Sequence, residues 1–232
     1  GMSHSVNRAT IAAMEQGIVS SASIMVPCPW FKEIAAYAKT HPDKDFGVHL
    51  TLNSEWDNYR WGPVASRDKV PSLVDQQGYL WDNVAQVAEN AQLAEVEVEL
   101  RAQVQRALDF GVPVTHVDTH MGALVSRPDL IEAYVNVGIH FNVPVFFLRS
   151  LSGEVTDERI IARGRQLLQR LDDHKLPVLD YMTQLYTKGS FEEKRTQYAG
   201  AIADSKPGIQ YMILHCGYDD EELQAITASS KV

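Results

Sequence analysis

Short runs rich in β-branched residues alternate with amphipathic helical segments along nearly the whole chain, and this alternation restricts the folds open to it. The strand-like runs are residues 18–26, 45–52, 115–120, 145–149, 177–180 and 209–215. Helical spacing of apolar residues predicts helices from a Ser3 or Ser5 cap to about Gln16, then over 30–39, 95–110, 127–142, 157–174, 190–204 and 219–226. Strands joined by helical crossovers pair in parallel. The sequence therefore predicts an α/β fold, best matched by a distorted, incomplete β/α barrel, with an open doubly wound sheet as the alternative. Six strands are legible, and a seventh is expected ahead of Gly1 to complete the barrel.

The length of 232 residues suits a single domain over 1–232. Within it, residues 53–94 show little regular pattern and carry Trp56, Tyr59, Trp61, Tyr79 and Trp81. Loops this long commonly cover binding sites. Trp56 and Trp61 are candidates for stacking on sugar rings over a pocket mouth, or else pack the loop onto the body. The net charge of −9 argues against nucleic-acid and anionic-membrane partners. Two cysteines, Cys28 and Cys216, make no disulfide framework, so a cytoplasmic, reducing compartment is expected. No apolar run is long enough to span a membrane, and a homodimer is left open.

The polar residues are not scattered at random. In Thr-His-Val-Asp-Thr-His, residues 115–120, strand alternation points His116, Asp118 and His120 the same way. Such a set is either a metal or acid/base cluster or a buried ladder satisfied by hydrogen bonds. His49, His120, Arg149, Asp180 and His215 fall at or near the carboxyl ends of predicted strands, the face on which parallel α/β folds build sites. His116 lies deeper, which suits support of a ligand rather than ligation. His4, His41, His140 and His174 lie near turns and helix ends and read as solvated or capping residues. No nucleophile elbow or glycine-rich phosphate loop is present, and Cys216 points away from its neighbour His215. Histidines on neighbouring strand ends favour one divalent metal, zinc or magnesium, with an open coordination position.

Several stretches together resemble the YdjC-like carbohydrate deacetylases. They are Gly1-Met2-Ser3 with VNRA at 6–9, GIVSSASIMV at 17–26, GVHLTLN at 47–53, THVDTH at 115–120 and HCGYDDEEL at 215–223. The resemblance implies a distorted β/α barrel and a metal-dependent hydrolase that removes acetyl groups from N-acetylated sugars such as chitooligosaccharides. It further implies that His49 and His120 bind the metal, with His215, the candidate catalytic residue, on the opposite wall of the pocket. There His215 could protonate the leaving amine or stabilise the oxyanion, while Asp118 and His116 would orient His120. Arg149 and Asp180 join Trp56 and Trp61 as candidate substrate contacts. Members of this family open with a strand ending Asp-Asp-Phe-Gly, and Gly1 matches its glycine, so the aspartates are expected ahead of this sequence. Met121-Gly122-Ala123 stands where many relatives carry further histidines, which bears on the substrate. The alternatives are a sugar-binding or regulatory barrel without catalysis, and a metal-dependent hydrolase of another amide or ester.

Overall fold

The structure, a computed structural model, describes residues 1–150, 158–185 and 189–227. In chain order the elements are α1 (His4–Gln16), β1 (Ser21–Ile24), α2 (Phe31–Thr40), β2 (Asp45–Leu50), α3 (Val84–Asn90), α4 (Leu93–Asp109), β3 (Val114–Thr119) and α5 (Pro128–Phe141). They continue with α6 (Glu158–Asp173), β4 (Tyr181–Gln184), α7 (Phe191–Ala203), β5 (Gln210–Ile213) and α8 (Glu221–Ile226). The expected start of the sixth helix at Asp157 lies outside the described residues. The chain divides into two compact units, Gly1–Val145 with Cys216–Val232, and Phe146–His215.

In the first unit the strands lie in the order β1-β2-β3, all parallel. Ile24, Phe46, Val48, Leu50 and Val117 from these strands are fully buried. Helix α4 buries Val96, Leu100, Val104 and Ala107 at helical spacing, and α5 buries Leu130, Ala133, Tyr134 and Val137. Each of these valines and leucines contributes about 1.5–3 kcal/mol when taken from water. Tyr134 is anchored as well as buried, since its hydroxyl donates to the Val117 carbonyl at 2.9 Å. Ser3 caps α1 by accepting from the Val6 amide, and Pro128 suits the first turn of α5, where a backbone N–H has no helical partner.

The β2–β3 register carries an irregularity that matters later. Phe46 pairs with Val114 and Val48 with Val117, so Thr115 and His116 together face Gly47. One extra residue in β3 makes this a β-bulge, a feature that re-aims side chains.

In the second unit β4 and β5 pair in parallel. Among the described residues there are thus five strands in two parallel sheets, so the α/β class holds while the pairings do not give seven strands. The expected strands at 145–149 and 177–180 shrink to single bridges, Val117 with Val145 and Leu148 with Leu179. Pro144 precedes the first run and Pro177 opens the second, and a proline supplies no N–H to a ladder. Residues 181–184, outside the strand-like runs, form β4.

The stretch 53–94 is a folded lobe rather than a loose loop. Bridges join Asn53 to Trp81 and Val74 to Leu80, two short 3₁₀ turns cover Arg67–Lys69 and Pro71–Leu73, and α3 follows. Its hairpin turn is held by Asp75, whose carboxylate accepts from the Gln77 and Tyr79 amides, with Gly78 at φ 83°. Arg60 ties the lobe together through Asp75, Asp82 and the Leu80 carbonyl. No helix among the described residues is long and apolar enough to cross a membrane.

Candidate functional site

Parallel register brings His49 on β2 opposite Asp118 on β3, near the carboxyl ends of both strands. The Asp118 carboxylate takes the His49 ring at Nδ1, with Oδ1 2.6 Å away. Asp118 is 3% exposed, so its charge needs local support. Burial pushes its pKa up, but the His49 and His116 rings and the Ser23 hydroxyl outweigh it and hold the carboxyl below the usual range. Ser23 Oγ donates to the other oxygen, Oδ2, at 2.8 Å.

His120 begins the 3₁₀ segment that follows β3. Its ring lies edge to face with His49, the centroids 5.2 Å apart. Its support comes from Glu55, whose Oε2 is 2.9 Å from Nε2. Glu55 is itself held by the Asn53 amide, which donates to the same oxygen at 3.2 Å. Burial lowers the His120 pKa, with Glu55 and Asp118 opposing and His49 adding to the shift. The chain then bends sharply. Met121 and Gly122 both take positive φ, 50° and 71°, and a glycine adopts that conformation without strain.

His116 sits in the bulge. Its ring lies over Gly47, where an added Cβ would come within 2.3 Å of it. Nε2 is 3.3 Å from Ser23 Oγ, while Nδ1 faces Thr115 Oγ1 at 2.9 Å and Asp45 at 3.4 Å. Strand alternation foresees that His116 and Asp118 share a face, and both meet Ser23, but it does not foresee the bulge that lays the His116 ring over Gly47. Asp118 bonds the His49 ring and Glu55 the His120 ring, while Asp118 acts on His120 through its charge.

Trp56 and Trp61 are 7% and 2% exposed. Trp61 donates through Nε1 to the Asn53 carbonyl at 3.0 Å, and its ring centroid lies 6.4 Å from that of His120. Both rings are packed within the lobe, and a ring so covered has no open face for a sugar. In the second unit Arg149 lies 3.8 Å from Asp180 and 3.6 Å from Asp172. Asp180 also accepts the Ile209 amide at 2.8 Å. These two residues brace the strands of their own unit. His215 follows β5 by two positions and is exposed.

The sequence reading did not single out Ser23 or Glu55. Ser23 stood among other serines of an apolar run, and Glu55 in a stretch without periodicity. Their signal is topological, since each depends on which strands pair and how the lobe folds back.

Among the described residues no group of three or more His, Cys, Asp or Glu is gathered as a metal centre. The donor chemistry at His49 and His120 nonetheless suits a divalent ion. Each imidazole is fixed by a carboxylate on one nitrogen, which leaves the other as a donor, the usual arrangement around metal-bound histidines.

The family model described as YdjC-like protein matches residues 1–232. A carbohydrate deacetylase of Thermoanaerobacter pseudethanolicus is 27% identical over 228 residues, covering 98% of this chain and 82% of the relative. One of Thermus thermophilus is 29% identical over 226 residues, covering 97% of this chain and 77% of the relative. One of Geobacillus stearothermophilus is 33% identical over 145 residues, covering 62% and 55%. The crystal structure of an Enterococcus faecalis V583 protein, named for a proposed role in cellobiose-phosphate cleavage, superposes with a TM-score of 0.75 at 23% identity. That match covers 97% of this chain and 80% of the other.

Proposed function

The chain belongs to the YdjC-like family, and from that premise we propose that it is a hydrolase removing acetyl groups from N-acetylated sugars with the help of one divalent metal ion. The observation that carries the reading is the His49–His120 pair, two imidazoles edge to face with their centroids 5.2 Å apart, each anchored to its own carboxylate. His49 and His120 would hold the ion, zinc or magnesium. When bound, such an ion polarises an acetamide carbonyl and makes water a better nucleophile near neutral pH.

The rest of the chemistry falls to this chain's own groups. Asp118 fixes the His49 ring and Glu55 the His120 ring, so neither imidazole swings when substrate enters. Burial favours neutral His120, the form in which an imidazole ligates. His215 is assigned as the acid that gives a proton to the departing amine nitrogen. Its exposure leaves it open to exchange that proton with solvent between turnovers. The carbohydrate deacetylases among the relatives support an acetylated sugar as substrate, and the acidic surface charge suits a ligand without phosphate-like anionic character.

The test is acetate release from a panel of N-acetylated mono- and oligosaccharides, with and without a chelator. Release that stops on chelation and returns with Zn²⁺ or Mg²⁺ is expected. Sugar binding without release would instead make this a binding protein, and release insensitive to thorough chelation would remove the metal from the reading.

A further inference from the structure

We propose that Ser23 and His116 are positioning residues that determine which nitrogen of His49 is offered to a ligand. The proposal rests on the reading of His49 as an imidazole ligand. It starts from strand register: Ser23 pairs with Gly47, and His49 with Asp118. Residues two apart on a strand share a face, so Ser23, Gly47, His49 and Asp118 lie on one side of the sheet. Gly47 leaves a gap on that side, and the bulged His116 fills it.

Donor counting then sets the direction of the bonds at Ser23 and at Asp118 Oδ1. A serine hydroxyl has one proton to give, and a carboxylate has none. Ser23 Oγ lies 2.8 Å from Asp118 Oδ2 and 3.3 Å from His116 Nε2. Its proton goes to the carboxylate, so towards His116 it accepts, and His116 Nε2 carries hydrogen. The remaining oxygen, Asp118 Oδ1, is 2.6 Å from His49 Nδ1, which must therefore donate. Neutral His49 is thereby held as the Nδ1–H tautomer with its lone pair on Nε2. The far end of the row is closed by Thr115 and Asp45, which face His116 Nδ1 at 2.9 and 3.4 Å. Without Ser23, Asp118 Oδ2 loses the hydroxyl that donates to it at 2.8 Å, and the carboxylate is held less firmly against Nδ1. The row thus links the start of β2 to the candidate site at its end, through side chains from all three strands.

The experiment is ¹⁵N NMR of histidine-labelled, metal-free protein together with Co²⁺ titration by calorimetry. Wild-type His49 is expected as Nδ1–H. Ser23→Ala should shift it towards a mixture of tautomers and weaken Co²⁺ binding about tenfold, the lower end for losing an outer-shell partner. Ser23→Thr, which keeps the hydroxyl, should restore both. Unchanged His49 shifts in Ser23→Ala would overturn the proposal even where wild type binds Co²⁺ normally. Conversely, a disturbed tautomer in a protein whose wild type binds no Co²⁺ would uphold the positioning row and remove the metal reading.

Discussion

Gly47 carries no side chain, yet it decides where His116 can be. An added Cβ would come within 2.3 Å of the imidazole, a separation that forces one of them to move. Overpacking of this kind typically costs about 1–3 kcal/mol. Gly47→Ala should therefore lower the melting temperature, and the loss should largely vanish when His116 is also replaced by Ala. Thermal unfolding of both singles and the double measures this coupling; an equal loss in either background would mean that His116 is not what the new methyl meets. The same scale shows what the sequence could and could not disclose. His49, Asp118 and His120 were legible because strand alternation and strand ends single them out. The partners Ser23 and Glu55 were not, because a lone serine or glutamate gains meaning only from residues far along the chain. The Asp118–His49 bond spans 69 positions, and the Glu55–His120 bond 65.

Among the elements, α4 does more than cover the sheet. Glu99 and Gln103 lie one turn apart on it and are completely buried. Gln103 takes both backbone groups of Thr51, just beyond β2, while Glu99 accepts the amides of Val64 and Ala65 and the Gln103 side chain. One helix face thus fixes both the end of the His49 strand and the folded lobe. Burial pushes the Glu99 carboxyl from 4.5 up to about 7, against the pull of those donors. The folded state then keeps a proton that the unfolded state has lost, so this group's contribution to stability falls as pH rises from 4.5 to about 7 and levels off above. Glu99→Gln should flatten that slope. It should also cost about 1–3 kcal/mol at the acid end, because its new amide donor faces a backbone N–H. Melting curves of both proteins across this pH range give the answer, and parallel slopes would assign the effect to another group. The buried apolar face of α4 was readable from its period, but its polar members were not. Helix α3, only seven residues long, is too short for its period to stand out. Residues 145–149 and 177–180 misled in the opposite sense, since a short apolar run looks the same whether it extends a ladder or makes one bridge.

At the scale of the whole molecule, the proposed chemistry gives two histidines far apart in the chain different tasks. His49 is proposed to hold the metal and His215 to deliver a proton. This division makes the two proposed roles separable by mutation. His49→Ala should remove metal and acetate release together, because it deletes a ligand and leaves Asp118 buried without that partner. His215→Ala should behave differently. The residue is exposed, and exposed substitutions usually change stability by about 0.5 kcal/mol or less, so the melting temperature should hardly move. Losing a general acid costs about 10²–10⁴-fold in rate, and that loss should fall on kcat with KM little altered. Metal content should match wild type. Substrates with activated leaving groups, which need no proton to depart, should recover much of the rate. Rates within about twofold of wild type on unactivated sugars would end the acid role for His215. Loss of metal along with rate would make it a ligand instead, and the proton for the amine would have to come from another group.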